Sequence, residues 1–340
     1  MIPETMPAAV FDSPGQTRVT SLPVPEPGPG EVLIEVARAG ICGTDIHILK
    51  GEYELSRFPL TPGHEFAGTI RAIGSGVLER TVGERVTADP NIPCLACSEC
   101  HRSAFNQCLR LQVAGVTRAG AFARYVAVPE RVVYPIGDLP FGEAALIEPL
   151  ACVAWGLRRI RVNAGDRALV IGAGPMGCLL MQALKAAGAV QVAVIDLARH
   201  RLQLALDLGA DLAITPAETD QLQRFAPQGF EVVADATGVP EVLAGSIRHA
   251  RAGGTVWVFG VAPDNALMSV SPYEFFRRDL TLVGSFAVNN TFQDAITLIE
   301  SGAVKVAPLV SHVLPLTDFD EGFRLAQHDP DRMKVQFDLS

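Results

Sequence analysis

The sequence predicts two architectures in one chain: a doubly wound parallel α/β sheet and a smaller β-rich, barrel-like domain. Three observations carry this. An apolar strand-like run at 168–171 leads into a glycine turn, a helical repeat and a second β-rich run. Strand-like and helical stretches then alternate as far as residue 284, the pattern of a parallel sheet built from βαβ units. Before residue 145, short β-rich runs recur between Gly and Pro clusters with little helical periodicity.

The glycine turn comes first. Gly172-Ala173-Gly174-Pro175-Met176-Gly177 supplies G-x-G-x-x-G directly after the apolar run. The first glycine permits a tight turn, the second lets the backbone approach a pyrophosphate, and the third lets helix and strand pack closely. Helical spacing runs from 175 to 187, and Gly188 stops it. The N-terminus of that helix offers unpaired N–H groups and partial positive charge to phosphates. Asp196 closes the next β-rich run, 196 − 177 = 19 residues past the last glycine. A carboxylate there accepts hydrogen bonds from the adenosine ribose and repels a 2′-phosphate. This is a Rossmann fingerprint that favours NAD, while Arg199 and Arg201 keep NADP open. Pro175, Met176 and Arg201 join the glycines and Asp196 as expected cofactor contacts.

With 340 residues, 49% of them hydrophobic, the chain has room for two domains with sizeable cores. Its net charge of −9 argues against a nucleic-acid or membrane-surface partner. The opening MIPETMPAAVFDSPG lacks a basic region followed by an apolar core, so no signal peptide is expected. Gln182, Lys185 and the glycines break any membrane-span reading of the fingerprint. These features point to the cytoplasm, where seven cysteines serve as thiols or metal ligands rather than disulfides.

In chain order, β-rich runs fall at 32–37, 65–73, 85–88, 122–128 and 132–135. Among them lie Gly40-Ile41-Cys42-Gly43-Thr44-Asp45-Ile46-His47 and Pro62-Gly63-His64-Glu65. Cys94, Cys97, Cys100 and Cys108 follow with spacing C-x2-C-x2-C-x7-C, four thiolates on one loop. Zinc takes four sulfurs tetrahedrally, and a closed set of four is a structural site. An iron–sulfur cluster is the competing metal, which the tight single-loop spacing disfavours. Glu148 stands in an apolar setting before a helical run at 151–159, so it needs a cation or metal partner, or else answers a helix dipole.

Beyond the fingerprint, helices are expected at 201–209 and 240–250, and strands at 212–214, 231–236, 255–259 and 280–284. Loops at the strand ends place Thr237, Gly260 and Val261 at the carboxyl edge of the sheet, where the nicotinamide belongs. The tail reads as helix 292–301, strand 310–314 and helix 319–327. Lacking a fingerprint of its own, it is expected to return to the first domain. The last sheet strand is expected to lie exposed and to pair with a second copy of the chain.

GICGTDIH, PGHE, VGERV at 82–86, the four-cysteine loop, IEPLACV at 147–153 and GAGPMG together resemble the zinc-dependent medium-chain dehydrogenase/reductase family over essentially the whole chain. IEPLACV resembles its polyol (sorbitol, xylitol, arabinitol) dehydrogenase branch. The resemblance implies a GroES-like catalytic domain at 1–149, an NAD-binding Rossmann domain at 150–286, and a return to the catalytic domain at 287–340. It implies two zinc ions per chain, one of them structural. The catalytic zinc is then held by Cys42, His64 and Glu148. Glu65 is the acid beside the metal, coordinating transiently or acting through water. Thr44 and His47 form a proton relay. The implied reaction is hydride transfer from a secondary alcohol, in the first instance a polyol, to NAD, giving a ketone. Relatives of this kind form dimers or tetramers. Where sorbitol dehydrogenases carry Phe-Arg-Tyr, this chain has Phe286-Ala287-Val288, which turns the expectation away from sorbitol toward a more apolar pocket. L-Threonine and simple secondary alcohols are the alternative substrates. A nucleotide-binding sensor or structural relative is the non-enzymatic alternative.

Overall fold

Strands β1 (Thr5–Ser13) and β2 (Gln16–Pro23) form an antiparallel pair at the start of the chain. Next come β3 (Glu31–Gly40), β4 (Glu65–Ile73), β5 (Arg85–Ala88), β6 (Asn91–Ile92), β7 (Gln112–Val113), β8 (Tyr125–Pro129) and β9 (Val133–Pro135). The middle of the chain supplies β10 (Arg167–Ile171), β11 (Gln191–Ile195), β12 (Leu212–Ile214), β13 (Phe230–Asp235), β14 (Ala250–Val258) and β15 (Thr281–Gly284). β16 (Val310–Pro315) and β17 (Lys334–Asp338) close the chain. This computed structural model describes every residue except Glu54.

The chain divides into two units, one of residues 1–151, 288–296 and 306–340, the other of residues 152–287 and 297–305. In the first, a seven-stranded sheet runs β16-β17-β3-β4-β5-β9, with β8 also paired to β3. β3 is its centre: Val32, Leu33, Ile34, Val36 and Ala39 are all buried, because neighbours on both edges and packing on both faces leave no solvent side. Aromatic rings knit the core. Phe122 meets Phe319, Phe323 and Phe337 edge-on with centroids 5.2–6.2 Å apart, and Phe11 meets Phe323 in the same way. Gly322 lets the helix Phe319–His328 approach, since a Cβ there would lie 2.6 Å from the Phe337 ring.

In the second unit the strands are parallel, in the order β12-β11-β10-β13-β14-β15. Numbered within the unit this is 3-2-1-4-5-6, the doubly wound arrangement, whose order reverses between β10 and β13. The central strands carry the apolar runs 168–171, 192–195 and 232–234, as burial on both faces requires.

Several details differ from the sequence expectation. Residues 43–50 form a helix, and Glu148 lies inside the helix Ile147–Arg159 rather than ahead of it. The expected helix at 240–250 ends at Ser246, followed by a 3-10 turn; Ala250 begins β14 instead, pairing with Phe230.

Candidate active site

The first donor set is built around a helix start. Cys42 is the extended N-cap of the helix Gly43–Lys50. Asp45, fully buried, accepts the Cys42 N–H at 2.9 Å and the Gly63 N–H at 3.3 Å, so one carboxylate fixes both donor-bearing loops. His64 sits at the entry to β4 and Glu65 is its first residue. Ligand atoms of Cys42, His64 and Glu65 all lie within 4.8 Å of one another. The His64 Nδ1 is buried and lacks a hydrogen bond, although the Asp45 carboxylate stands 3.5 Å away. Burial opposes a charged imidazole, yet Asp45 and Cys42 outweigh it and hold His64 well above its ordinary pKa. A pocket that favours positive charge so strongly, with sulfur, nitrogen and oxygen donors converging, fits a divalent metal.

Glu65 has a partner the sequence did not reveal. Both its oxygens accept from the Lys334 ammonium at 2.7 Å, and the same nitrogen donates to the Ile41 carbonyl at 3.2 Å. Burial works to discharge Lys334, but Glu65, Cys42 and Glu148 together hold its pKa above the ordinary lysine value. Gly40 makes the room, since a Cβ there would lie 2.4 Å from Glu65 Oε2. Glu148 is 8% exposed, in the first turn of its helix. It is not among the donors within 4.8 Å of one another, but its charge is felt at both Lys334 and Asp89. Asp89, also buried, is pushed up to about 8 by burial and by Glu148, against the opposing Asn91 N–H.

Thr44 and His47 share a face of the helix at i and i+3. The Thr44 hydroxyl lies 3.7 Å from the Cys42 sulfur, and His47 Nδ1 lies 2.7 Å from Glu52 Oε2. Asp45, Glu52, Asp89 and Lys334 are the residues that sequence reasoning missed. Only Asp45 had a local signal: an acid three residues after an N-cap.

The second donor set lies on the loop between β6 and β7. Sulfur–sulfur distances are 4.0 Å for Cys94–Cys100, 3.5 Å for Cys97–Cys100 and 3.9 Å for Cys97–Cys108. A tetrahedral ion with bonds near 2.3 Å requires about 3.8 Å between sulfurs, so the four thiols fit one zinc.

In the second unit, Gly172 has φ +103°, and a Cβ on Gly177 would lie 1.7 Å from the Gly172 carbonyl oxygen. Pro175 opens the helix Pro175–Ala186, with Gly174 as its cap and Met176 in the first turn. The Asp196 carboxylate accepts from Ala173 N–H at 2.6 Å and Ala198 N–H at 2.8 Å, which pins it beside the turn. Asp196 and Arg201 both act on the charge state of the buried Cys178, whose thiol burial pushes up to about 12. Across the switch point, Asp235 accepts from the Thr237 hydroxyl at 2.6 Å and from Gly238 N–H at 3.1 Å. Gly260 must lack a side chain, because a Cβ there would lie 2.2 Å from the Gly238 nitrogen. Val261 follows it and is exposed.

A doubly wound sheet with a pyrophosphate turn, joined in one chain to two sets of metal donors, defines a dinucleotide-dependent, metal-using oxidoreductase. Residues 28–138 match the alcohol dehydrogenase GroES-like domain and residues 175–301 the zinc-binding dehydrogenase domain. The chain is 40% identical over 336 residues to D-altritol 5-dehydrogenase of Agrobacterium fabrum (strain C58 / ATCC 33970), covering 98% of this chain and 99% of that one. It is 36% identical to D-arabinitol dehydrogenase 1 of Uromyces fabae, covering 94% and 93%. A zinc-binding dehydrogenase from Sinorhizobium meliloti 1021, solved bound to NADP, superposes with a TM-score of 0.94 at 33% identity, covering 99% and 100%. The chain belongs to the zinc-dependent medium-chain dehydrogenase/reductase family, in its polyol dehydrogenase branch, and is an alcohol or polyol dehydrogenase. Among the described residues no helix is long and apolar enough to cross a membrane.

Proposed function

We propose that this enzyme oxidises a secondary hydroxyl of a polyol to a ketone with NAD as hydride acceptor. The observation that carries the reading is the convergence of Cys42 and His64, with the buried Glu65 carboxylate beside them, at a pocket that favours a cation. Zinc held there supplies Lewis acidity that brings a bound hydroxyl's pKa from about 16 toward neutrality.

Cys42 and His64 are the first two donors. Glu148 is assigned as the third on the family resemblance of residues 147–153, and both oxygens of Glu65 are committed to Lys334. Glu65 then contributes negative charge beside the site, already offset by its ammonium. Asp45 orients His64 and fixes the backbone of Cys42. The hydroxyl proton leaves through Thr44 to His47, whose ring Glu52 orients. Cys94, Cys97, Cys100 and Cys108 hold a second, structural zinc, for a total of two ions per chain.

The nucleotide's pyrophosphate rests on the turn of Gly172, Gly174 and Gly177, with Pro175 and Met176 opening the helix. Asp196 accepts the ribose hydroxyls and disfavours a 2′-phosphate, and Arg201 flanks it. Thr237, Gly260 and Val261 receive the nicotinamide end. Ala287, in place of an arginine, points to a polyol other than sorbitol. The exposed edge of β15, last strand of its sheet, is assigned to pairing with a second copy of the chain. Reduced thiols in the four-cysteine loop suit the cytoplasm.

The test is NADH formation by absorbance against polyols, L-threonine and simple secondary alcohols, with and without chelator, and repeated with NADP. The expected result is chelator-sensitive activity that peaks on a polyol with NAD. A peak on threonine or a short alcohol overturns the substrate reading. Bound nucleotide and full zinc with no turnover on any of them favours the sensor reading.

A further inference from the structure

Four thiolates around one divalent ion leave two net negative charges, placed here on a surface loop. Several N–H groups point at these sulfurs, and three of them are donated by Cys94 or Arg110. Cys94 N–H donates to Cys108 Sγ at 3.2 Å, Arg110 N–H donates to the same sulfur at 3.4 Å, and Arg110 Nη2 donates to Cys94 Sγ at 3.4 Å. Arg110 therefore touches two of the four sulfurs, one through its backbone and one through its charge. The loop's other arginine, Arg102, is turned to Glu99 at 3.4 Å, and Arg131 donates to the Pro93 carbonyl at 3.2 Å rather than to sulfur. The ribbon β6–β7 closes the loop at its base, with Asn91 opposite Val113 and Ile92 opposite Gln112, which sets Arg110 two residues after Cys108 and level with Cys94.

We propose that Arg110 is the counter-charge of the four-cysteine zinc site, and that its guanidinium sets how slowly the loop gives up its metal. The inference rests on the zinc reading of that loop. Groups that hydrogen-bond metal ligands raise metal affinity, and their loss lowers it by roughly 10–100-fold where they are buried. Arg110 is exposed, so its share is smaller and is screened by salt. The charge acts over a 3.4 Å contact, shorter than the screening length of about 10 Å at 0.1 M salt and comparable with that of about 3 Å at 1 M. Lysine keeps the charge but lacks the planar fork, so it restores only part of the effect.

The experiment follows zinc release from the full-length, zinc-loaded enzyme into excess chromogenic chelator, for the wild type, Arg110→Gln and Arg110→Lys. The phase belonging to the cysteine loop is the one that disappears in Cys94→Ala. In Arg110→Gln that phase should accelerate by roughly three- to tenfold at low salt, with Arg110→Lys between it and the wild type. The gap should close near 1 M salt, and salt should by itself speed release from the wild type. Equal release rates in the wild type and Arg110→Gln overturn the proposal. So does an acceleration that is the same at low and high salt, because that reports lost packing rather than lost charge. A salt-insensitive wild type refutes it without any variant. A wild-type chain that holds one ion and four free loop thiols overturns the zinc reading of the loop and this inference with it.

Discussion

Replacing Lys334 by Met removes one half of an ion pair sealed from water: Glu65 is 1% exposed and Lys334 5%. The methionine fills most of the lysine's volume, so the loss is electrostatic rather than a cavity. What remains is a buried carboxylate that has lost two 2.7 Å charge-assisted hydrogen bonds, in a pocket that also holds Cys42. Breaking a buried pair from one side costs about 3–5 kcal/mol. Trp155 and Trp257 both belong to the second unit, so tryptophan fluorescence gives no local report on β17. Hydrogen exchange of peptides covering β17 is the suitable assay. A loss of 3–5 kcal/mol speeds exchange there by roughly a hundred- to several-thousand-fold if it occurs through the openings that expose the pair. The metal-free enzyme should lose most, because zinc partly replaces the missing cation. Lys334→Met with Glu65→Gln should recover most of the protection, since neither charge is then stranded. Exchange within about threefold of the wild type in Lys334→Met, or a double variant whose losses simply add, would refute the pairing argument.

Three further outcomes are expected. Asp89, with its pKa raised to about 8 in the fold, carries a proton that the unfolded chain has released above about pH 4. Metal-free enzyme should therefore lose stability as pH rises from about 4 to 8, and Asp89→Asn should flatten that slope in denaturation midpoints taken across the range. His47→Gln should lower kcat by roughly tenfold or more at neutral pH, with partial rescue by small buffer bases, because the residue passes on a proton and binds nothing; unchanged kcat counts against the relay. Asp196→Ala should weaken use of NAD and narrow its advantage over NADP in kcat/KM; an unaltered ratio removes Asp196 as the discriminating group.

What the sequence made legible was contiguous. The six residues from Gly172 to Gly177 and the four loop cysteines each carry their chemistry within a few positions, so spacing alone exposes them. Lys334 lies 269 residues from Glu65, and no local pattern announces that contact. Its strand was missed for the same reason. β17 is an interior strand, yet it buries Lys334 and Gln336, whose amide donates to the Gly142 carbonyl at 2.7 Å. Polar side chains needed elsewhere erased the apolar run expected of an interior strand. The helix Gly43–Lys50 was hidden by its opening Gly43, its Gly51 C-cap and its cysteine N-cap. β1 carries Pro7 and β2 is polar on its outer face, so neither reads as a strand without its partner. Glu148 was legible as a buried acid, but not its proximity to Asp89 and Lys334.

The closing strand also has a consequence for how the protein is made. β17 pairs with β3, Asp338 standing opposite Arg38, and the Ala37 and Leu339 backbones join at 3.1 Å. Arg124 reaches the Leu339 carbonyl at 2.5 Å. Strands at 31–40 and 334–338 are thus neighbours in one sheet. Until β17 has emerged from a ribosome, residues 38–40 of β3 lack a partner on the edge where β8 covers only 31–35, although the second unit has all of its strands once Gly284 has emerged. A nascent chain therefore completes its parallel sheet first and carries a short open strand edge until β17 has emerged. A truncation that removes β17 would leave that edge permanently available to other chains.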